Sequence, residues 1–419
     1  MKNIWMFHHY ATPPNMSGLT RPYDFSKELL KQGYKSTVFS SAYLHYTNEN
    51  LIKENALYKY DDKQGVPFVF IKTFPYKGNG MSRVKNMVSF FINLFKVTKQ
   101  YAKTNGKPDV IIASSPHPLT MLAGILIAKR YKIPCICEVR DFWPEVFFLG
   151  GKLKRESIAA KVLLSGEHWI YKKANALIFL KEGDVNYIKE QGWDRDIDLK
   201  KCHYINNGVN YSSYVRSITE NVLEDKELND ENYFNVVYIG AIRKVNNVGN
   251  ILDVAKKLKE QKDIRFLIYG DGNELEELKN RVLKENINNV YLKGRVEKKY
   301  IPYILSKSSL NLLNYSNKLY NWSRGNSSNK LFEYMASGKP IISTVKMGYC
   351  ILEKYKCGYS LENNTPEEFA KKIIEVKNLN SDTYEMMGSN AKIAAQDFDF
   401  RILTNKLISI IEKGNKDND

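Results

Sequence analysis

At 419 residues, with 43% hydrophobic and 26% charged residues and no Pro/Gly/Ser-rich tract, the chain has globular composition and is too long for one ordinary core. Two domains of about 200 residues each make a cleft between them the default place for a site. A formal charge of +17 and a pI near 9.3 ask for an anionic partner, which leaves nucleic acid, acidic lipid or a diphosphate substrate. No zinc-finger spacing or RNA-binding signature accompanies the dispersed lysines, which sets nucleic acid aside. The five cysteines lack metal-type pairing, and Cys135 and Cys137 alternate within PCICEV as neighbours on one strand face, so a reducing cytoplasm is expected, with neither disulfide nor zinc. MKNIWMFHHY has no apolar core of signal-peptide length, and the best apolar stretch, 110–128, is broken by Ser114, Ser115, Pro116, His117 and Pro118, so no membrane span is expected.

In chain order, NIWMFHH reads as a strand, a Gly/Pro loop follows, RPYDFSKELLKQGY is a helix and KSTVFSS a second strand, which is a βαβ opening. DVIIASS, the helix TMLAGILIAKRY, the strand PCICEV, a long helical stretch ending at Lys173 and the strand ALIFL continue the alternation that marks a parallel, doubly wound α/β sheet. Residues 211–232 carry few periodic apolar positions and read as an interdomain connection. A second set follows: FNVVYIG, the helix ILDVAKKLKEQ, IRFLIYGDG, then the strands NVYLKG, LNLLNY and PIISTV. The closing run from Phe398 to Lys413 is an amphipathic helix, and only GNKDND is expected outside the fold.

The chemistry concentrates in SSNKLFEYMASGKP. Ser327 and Ser328 suit a helix N-cap, KLFEYMAS is helical, Gly338 suits the stop and Pro340 prevents continuation. Free amides at such a helix start, its positive dipole end and Lys330 suit a diphosphate, while Glu333 one turn on suits ribose hydroxyls. The same residues also describe a well-capped surface helix. Gly270 and Gly272 flank Asp271 in a tight turn at a strand's C-terminal edge, where ligands gather in open α/β sheets. Gly18 lies in the loop between the first strand and helix, where glycine lets backbone approach a diphosphate, and Arg21 at the helix start adds charge.

The segment at 329–340 resembles the nucleotide-sugar signature of glycosyltransferase family 4, in particular the bacterial O-antigen and capsule branch related to L-fucosamine transferases, which reads close to SPNKLFDYMAAGKPII. HHYATPPNMSGLTRPYDFSKELLKQGYKSTVFS and ASSPHPLTMLAGILIAKRYKIPCICEVRDFWPE resemble that branch's N-terminal blocks, and INNGVN, VVYIGAIRKVNNV, FLIYGDGNELEELK, NVYLKGRV and PYILSKSSLNLLN follow in its order. The resemblance implies a GT-B fold, two Rossmann-like domains whose parallel sheets face a central cleft. It implies an acceptor-binding domain at 1–210, the connection at 211–232, a nucleotide-sugar-binding domain at 233–395, and a terminal helix at 396–415 that packs back on the first domain. It also implies a retaining hexosyltransferase that uses no metal and no cofactor, with a nucleotide-diphosphate sugar, UDP-linked and N-acetylated, as co-substrate.

Without a metal, cationic side chains and amides must stabilise the departing diphosphate. Arg243 and Lys244, after the strand ending at Gly240, are the candidates beside Lys330. Where many members carry Arg directly after that glycine and a Lys-Gly pair later, this chain has Ala241 and then Val245-Asn246-Asn247. The resemblance gives the base to backbone at Val296, after Gly294 and Arg295. It gives the donor to backbone from Ser327 through Asn329 to Leu331. Gly325 stands where the wider family has the first Glu, so that contact falls to backbone between Gly325 and Ser328. His117 stands at the family's cleft histidine, and Asp141 in RDFWPE is placed to orient the acceptor or act as a base, with Trp143 and Pro144 shaping the loop. In the front-face course usually described for the family, the acceptor hydroxyl attacks on the leaving-group side and the diphosphate oxygen takes its proton.

The run 81–107 combines Met81, Val84, Met87, Val88, Phe91, Leu94 and Phe95 with Arg83, Lys85, Lys96 and Lys99, as an interfacial helix does and as a core-packing helix also does. On the interfacial reading the enzyme is peripheral on the inner face of the cell membrane, drawn to anionic lipid and to a lipid-linked, polyprenyl-diphosphate or oligosaccharide acceptor of surface polysaccharide synthesis. Two other readings share the architecture. A sugar-nucleotide 2-epimerase turns over without acceptor, and a non-catalytic glycosyltransferase-like partner subunit is indifferent to Glu333→Ala.

Overall fold

The computed structural model describes residues 2–16, 18–53, 55–151, 153–317, 320–363 and 365–413. They form two compact units. The N-terminal unit runs to Leu180, takes in Asp184–Asn206 and resumes at Phe400; the C-terminal unit holds Lys181–Gly183 and Asn207–Asp399.

The N-terminal unit is built from β1 (Asn3–His8), α1 (Arg21–Lys31), β2 (Lys35–Ser41), β3 (Tyr58–Asp61), β4 (Phe68–Ile71), α2 (Met81–Asn105), β5 (Val110–Ser114), α3 (Pro118–Tyr131), β6 (Cys135–Val139), α4 (Trp143–Leu149), α5 (Ile158–Lys173), β7 (Ala176–Phe179), α6 (Asn186–Glu190) and β8 (Cys202–Tyr204). Its sheet order is β3-β4-β2-β1-β5-β6-β7-β8, parallel except for β3 against β4. The central strands are near-continuous apolar runs because helices cover both faces. On one face Trp5 and Phe7 meet Phe39 at 5.0 and 5.3 Å between ring centroids, under Phe90, Leu94 and Val97 of α2. Burying each such ring contributes roughly 1.5–3 kcal/mol.

The C-terminal unit holds α7 (Tyr211–Glu220), α8 (Lys226–Asn229), β9 (Phe234–Ile239), α9 (Gly249–Lys257), β10 (Ile264–Tyr269), α10 (Leu275–Lys284), β11 (Val290–Gly294), α11 (Ile301–Ser306), β12 (Leu310–Leu313), α12 (Asn329–Ala336), β13 (Ile341–Ser343), α13 (Ile351–Lys354), β14 (Gly358–Ser360), α14 (Pro366–Lys377) and α15 (Ser381–Asp397). Its all-parallel sheet runs β11-β10-β9-β12-β13-β14. The last helix, α16 (Phe400–Lys413), belongs to the N-terminal unit, where Phe400 packs edge-on against Phe25 of α1 at 5.3 Å and Glu412 pairs with Lys2 at 2.6 Å. Residues 414–415 of the expected terminal helix, and the GNKDND tail, lie outside the described residues.

One expectation needs correction here. The stretch 211–232 is not a bare connection: Asn210 Oδ1 caps the amide of Ser213 at 3.1 Å, Tyr214 is buried, and α7 packs on α11 and α12 within the C-terminal unit. One buried tyrosine in ten residues is too weak a pattern to read from sequence. Of the two readings left open for α2, Phe91 and Phe95 follow the core-packing one and pack against the core; the exposed apolar side chains are Met81, Val84, Val88 and Ile92, spaced along one helical stripe.

Candidate active site

In each sheet the chain reverses its direction of travel once, between β1 and β5 in the first and between β9 and β12 in the second. Ligands of open α/β sheets bind outside the carboxyl ends of strands at such switch points, because the two flanking loops diverge there. His8, His9 and His117 end or follow β1 and β5; Gly240, Asn314 and Tyr315 follow β9 and β12.

At the second switch point, α12 is held to β9 by Tyr334, whose hydroxyl accepts from the Ile239 amide at 2.9 Å and donates to the Ile239 carbonyl at 3.1 Å. One turn earlier Lys330 reaches across the strand end. Its Nζ donates to Tyr238 Oη at 3.2 Å and lies over the rings of Tyr238 and Tyr315 at 4.7 and 5.0 Å. The Asn246 amide, in the orientation that satisfies both its ends, accepts from Lys330 Nζ at 3.1 Å and donates to the Ala241 carbonyl at 2.9 Å. Among the described residues no carboxylate pairs with Lys330. Burial lowers its pKa to about 7, opposed by Glu333. Burial likewise raises the Glu333 carboxyl, opposed by Lys298 and Lys330, and among the described residues that carboxyl has no hydrogen-bond donor. A half-buried cation whose direct contacts are all neutral is a ready partner for an anion.

The start of α12 differs from the expected cap. Ser328 occupies the N-cap position, but its Oγ accepts from Tyr315 Oη at 2.7 Å and its own amide donates to Asn326 Oδ1 at 2.8 Å. The amides of Asn329 and Lys330 therefore have no acceptor among the described residues, which leaves the positive end of the helix open. The Ser327 carbonyl is taken by Asn207 Nδ2 at 2.5 Å, which ties the INNGVN block to the signature loop. Gly325, at φ 106°, adopts a backbone conformation that side chains disfavour.

The glycines expected to approach a ligand first of all approach each other. A Cβ on Gly270 would lie 1.8 Å from the Gly240 carbonyl oxygen, and one on Gly272 would lie 2.1 Å from that of Ile242. The loops after β9 and β10 are zipped by Ile242 N to Asp271 O at 2.9 Å, and Gly270 N donates to Gly294 O at 2.7 Å. A Cβ on Gly240 would stand 2.9 Å from Lys330 Nζ. Asn314 Nδ2 donates to the carbonyls of Asn246 and Asn247 at 2.7 and 2.6 Å, fixing the turn that carries Asn246. Arg243 and Lys244 are exposed at the start of that turn with no acceptor among the described residues, and Val296 is half-buried after β11.

The first switch point is lined by imidazoles. His9 Nδ1 lies 2.7 Å from His117 Nε2, and His9 Nε2 lies 2.7 Å from Asn86 Oδ1. All three side chains are buried. Burial, then Arg83, lowers the His117 pKa to about 3; burial, then His117 itself, holds His9 well below the usual range. Trp143 Nε1 donates to the Pro116 carbonyl, so the RDFWPE loop is tethered beside His117, whose ring is 6.5 Å from the indole. Asp141 on that loop is exposed. Gly18 sits against Thr12, whose Oγ1 would be 2.3 Å from an added Cβ, so local crowding alone already demands glycine there.

Arg21 corrects the expectation made for it. It is 4% exposed, and its donors are matched inside the unit: Nε to Glu138 Oε2 at 2.8 Å, Nη1 to Asn206 O at 2.5 Å and Nη2 to Ile205 O at 2.9 Å. Burial would push the Glu138 carboxyl up, but Arg21 and then Arg140 outweigh it and hold it at about 2, with Ser114 Oγ donating at 2.6 Å. This guanidinium clamps strand ends together and has nothing left for a phosphate. Sequence reasoning also missed Tyr238, Asn246, Tyr315, His9 and Asn86. For His9 the signal was the doubled histidine in HHY; for Asn246 it was the substitution at the family's Lys-Gly position.

The model for "Glycosyltransferase Family 4" matches residues 20–213, and that for "Glycosyl transferases group 1" matches residues 220–394. An uncharacterized glycosyltransferase of Methanocaldococcus jannaschii is 24% identical over 319 residues, 74% of this chain and 77% of that protein. Among solved structures, Anabaena HepE in complex with UDP and glucose superimposes with a TM-score of 0.68 at 15% identity, covering 98% of this chain and 100% of HepE. WaaG, described as a glycosyltransferase involved in lipopolysaccharide biosynthesis, does so with a TM-score of 0.61 at 14% identity, covering 97% and 99%. These likenesses are of fold, and the fold is GT-B. Two adjoining family models, two Rossmann-like units and a ligand-ready helix start at the second switch point together identify the chain as a family 4-like glycosyltransferase.

Proposed function

We propose that this chain is a retaining, metal-independent hexosyltransferase that moves a sugar from a UDP-linked, N-acetylated donor to a lipid-linked or oligosaccharide acceptor of surface polysaccharide synthesis. The observation that carries the reading is Lys330, a half-buried cation with only neutral partners at an open helix start. The diphosphate would lie against Lys330 and the amides of Asn329 and Lys330, the closest approach being made by backbone at Gly240; Glu333 would accept from the ribose and Val296 backbone from the base. Arg243 and Lys244, exposed on the adjoining turn, supply further positive charge to the departing group. This cationic set does the work that a bound metal does elsewhere, so no cofactor is required. HepE, whose complex holds UDP and glucose, and WaaG, named for lipopolysaccharide synthesis, support the donor and the pathway class.

In the front-face course His117 and Asp141 serve the reacting sugars, the acceptor hydroxyl attacks on the leaving-group side, and the diphosphate oxygen takes the proton. Screening sugar nucleotides for thermal stabilisation and turnover, with and without chelator, tests the donor and the metal independence. NMR of the product's anomeric carbon tests the stereochemistry, since inversion would contradict it. Among the described residues no helix is long and apolar enough to cross a membrane. Attachment to anionic lipid is proposed instead through the exposed stripe of α2, with Met81 72% and Phe74 63% exposed beside Lys85, Lys96 and Lys99.

A further inference from the structure

The hydrogen-bond chain at the first switch point has a single direction. Asn86 is buried on α2 beside the Phe74 carbonyl, which only accepts, so its Nδ2 must face Phe74 O (2.5 Å) and Thr73 Oγ1 (3.0 Å), leaving Oδ1 as an acceptor. Oδ1 stands 2.7 Å from His9 Nε2, which must then carry a hydrogen. A neutral His9 has its lone pair on Nδ1, and that atom lies 2.7 Å from His117 Nε2, which in turn must carry a hydrogen. A neutral His117 is left with a bare Nδ1. That atom is shielded from solvent and meets no hydrogen-bond partner among the described residues, while its ring is packed between Tyr10 and Trp143 at 6.3 and 6.5 Å. The neighbouring His8 is built the other way. Its Nδ1 accepts from the Tyr10 amide at 3.2 Å, so its unmatched atom, Nε2, is a donor.

We infer that Asn86 and His9 are positioning residues which lock His117 as the Nε2–H tautomer, so that its Nδ1 stands as a hydrogen-bond acceptor for a hydroxyl of a sugar substrate. An unmatched buried acceptor is a standing penalty, and a hydroxyl that donates to it removes that penalty only when the substrate is bound. The opposite tautomer would present an N–H, and the site would then select for an acceptor atom instead. The assignment of the hydroxyl to a sugar rests on the transfer reaction proposed above; the tautomer does not.

The test uses the full chain labelled with 15N-histidine. With six histidines, long-range proton–nitrogen correlations assign each ring from single variants. His117 is expected as the neutral Nε2–H form throughout the range in which a free imidazole titrates. His9→Gln keeps the chain, since its amide nitrogen donates to Asn86 Oδ1 and its oxygen accepts from His117; it should preserve that tautomer and hold turnover within about threefold. His9→Phe keeps the ring packing but breaks the chain; it should give mixed His117 tautomers and cut turnover about tenfold or more, in protein that still folds but melts several degrees lower because two buried groups lose their partners. An Nδ1–H form in the wild type, or His9→Gln as impaired as His9→Phe, would overturn the inference. The spectra give their answer whether or not any UDP-sugar turns over, so failure of the transfer reading is told apart from failure of this one.

Discussion

Two basic side chains sit in the first turns of helices beside the two switch points, and their surroundings make them opposites. Arg21 opens α1 and has a buried carboxylate and two carbonyls for its donors. Lys330 opens α12 and has a phenol, an amide oxygen and two aromatic faces. Position in the sequence does not separate them; the count of matched donors does. A guanidinium whose geometry is used up internally is a clamp, whereas a half-buried lysine whose direct contacts are all neutral keeps its charged form at a cost that a bound anion would offset.

The largest effect that would break this contrast is expected at Lys330. Lys330→Met should lower sugar transfer by about 10²–10³. The same change should leave the protein as stable or slightly more so: between a folded-state pKa near 7 and the ordinary 10.5, the unfolded chain holds a proton that the folded chain does not, so the native lysine disfavours folding below that window. Thermal melts at neutral pH should rise by a few degrees, at roughly 2–4 °C per kcal/mol. Arg21→Met should do the reverse. Stripping the partner from buried Glu138 should cost about 3–5 kcal/mol, visible as a large drop in melting temperature, while protein still folded keeps its UDP affinity. Because the Glu138 carboxyl is depressed to about 2, its contribution is present above its ordinary 4.5 and fades as pH falls from 4.5 toward 2.

Arg243→Ala sharpens the comparison with an exposed cation. It should reduce turnover about 10- to 100-fold without moving the melting temperature, and Lys244→Ala should do less. The smallest effect belongs to the outer face of α2. Replacing Val88 and Ile92 together by Ser should weaken co-flotation with anionic vesicles by about tenfold and leave the soluble reaction unchanged, whereas unaltered flotation would exclude that face.

Much of the architecture was legible because strand and helix periods alternate cleanly and β1, β5, β6, β9, β10 and β12 are predominantly apolar, interrupted only by single polar residues such as Glu138, Asn235, Arg265 and Asn311. The short pair β3 and β4 was not, since Tyr58–Asp61 forms an antiparallel edge with only partial burial. The expected end of the first domain was set by composition, and composition carries no trace of residues 181–183 joining the other unit. In the candidate site, the placing of Lys330 and Glu333 one turn apart on a single helix was legible from their spacing. Asn246, Tyr238 and Tyr315 were not, because they meet Lys330 from three separate loops and strands, and the sequence order holds no sign of that meeting. Ser328 was legible as an N-cap by type, but the competition between the helix amides and Tyr315 Oη for its hydroxyl is a tertiary matter.

Binding of a nucleotide diphosphate at Lys330 would show itself first in proton linkage. Calorimetric titration of UDP at a pH above 7, in buffers of different ionisation enthalpy, should show proton uptake as the bound anion draws Lys330 back to its charged form. Lys330→Met should abolish the uptake and weaken binding. UDP bound as tightly by Lys330→Met, with the proton balance unchanged, would contradict the account.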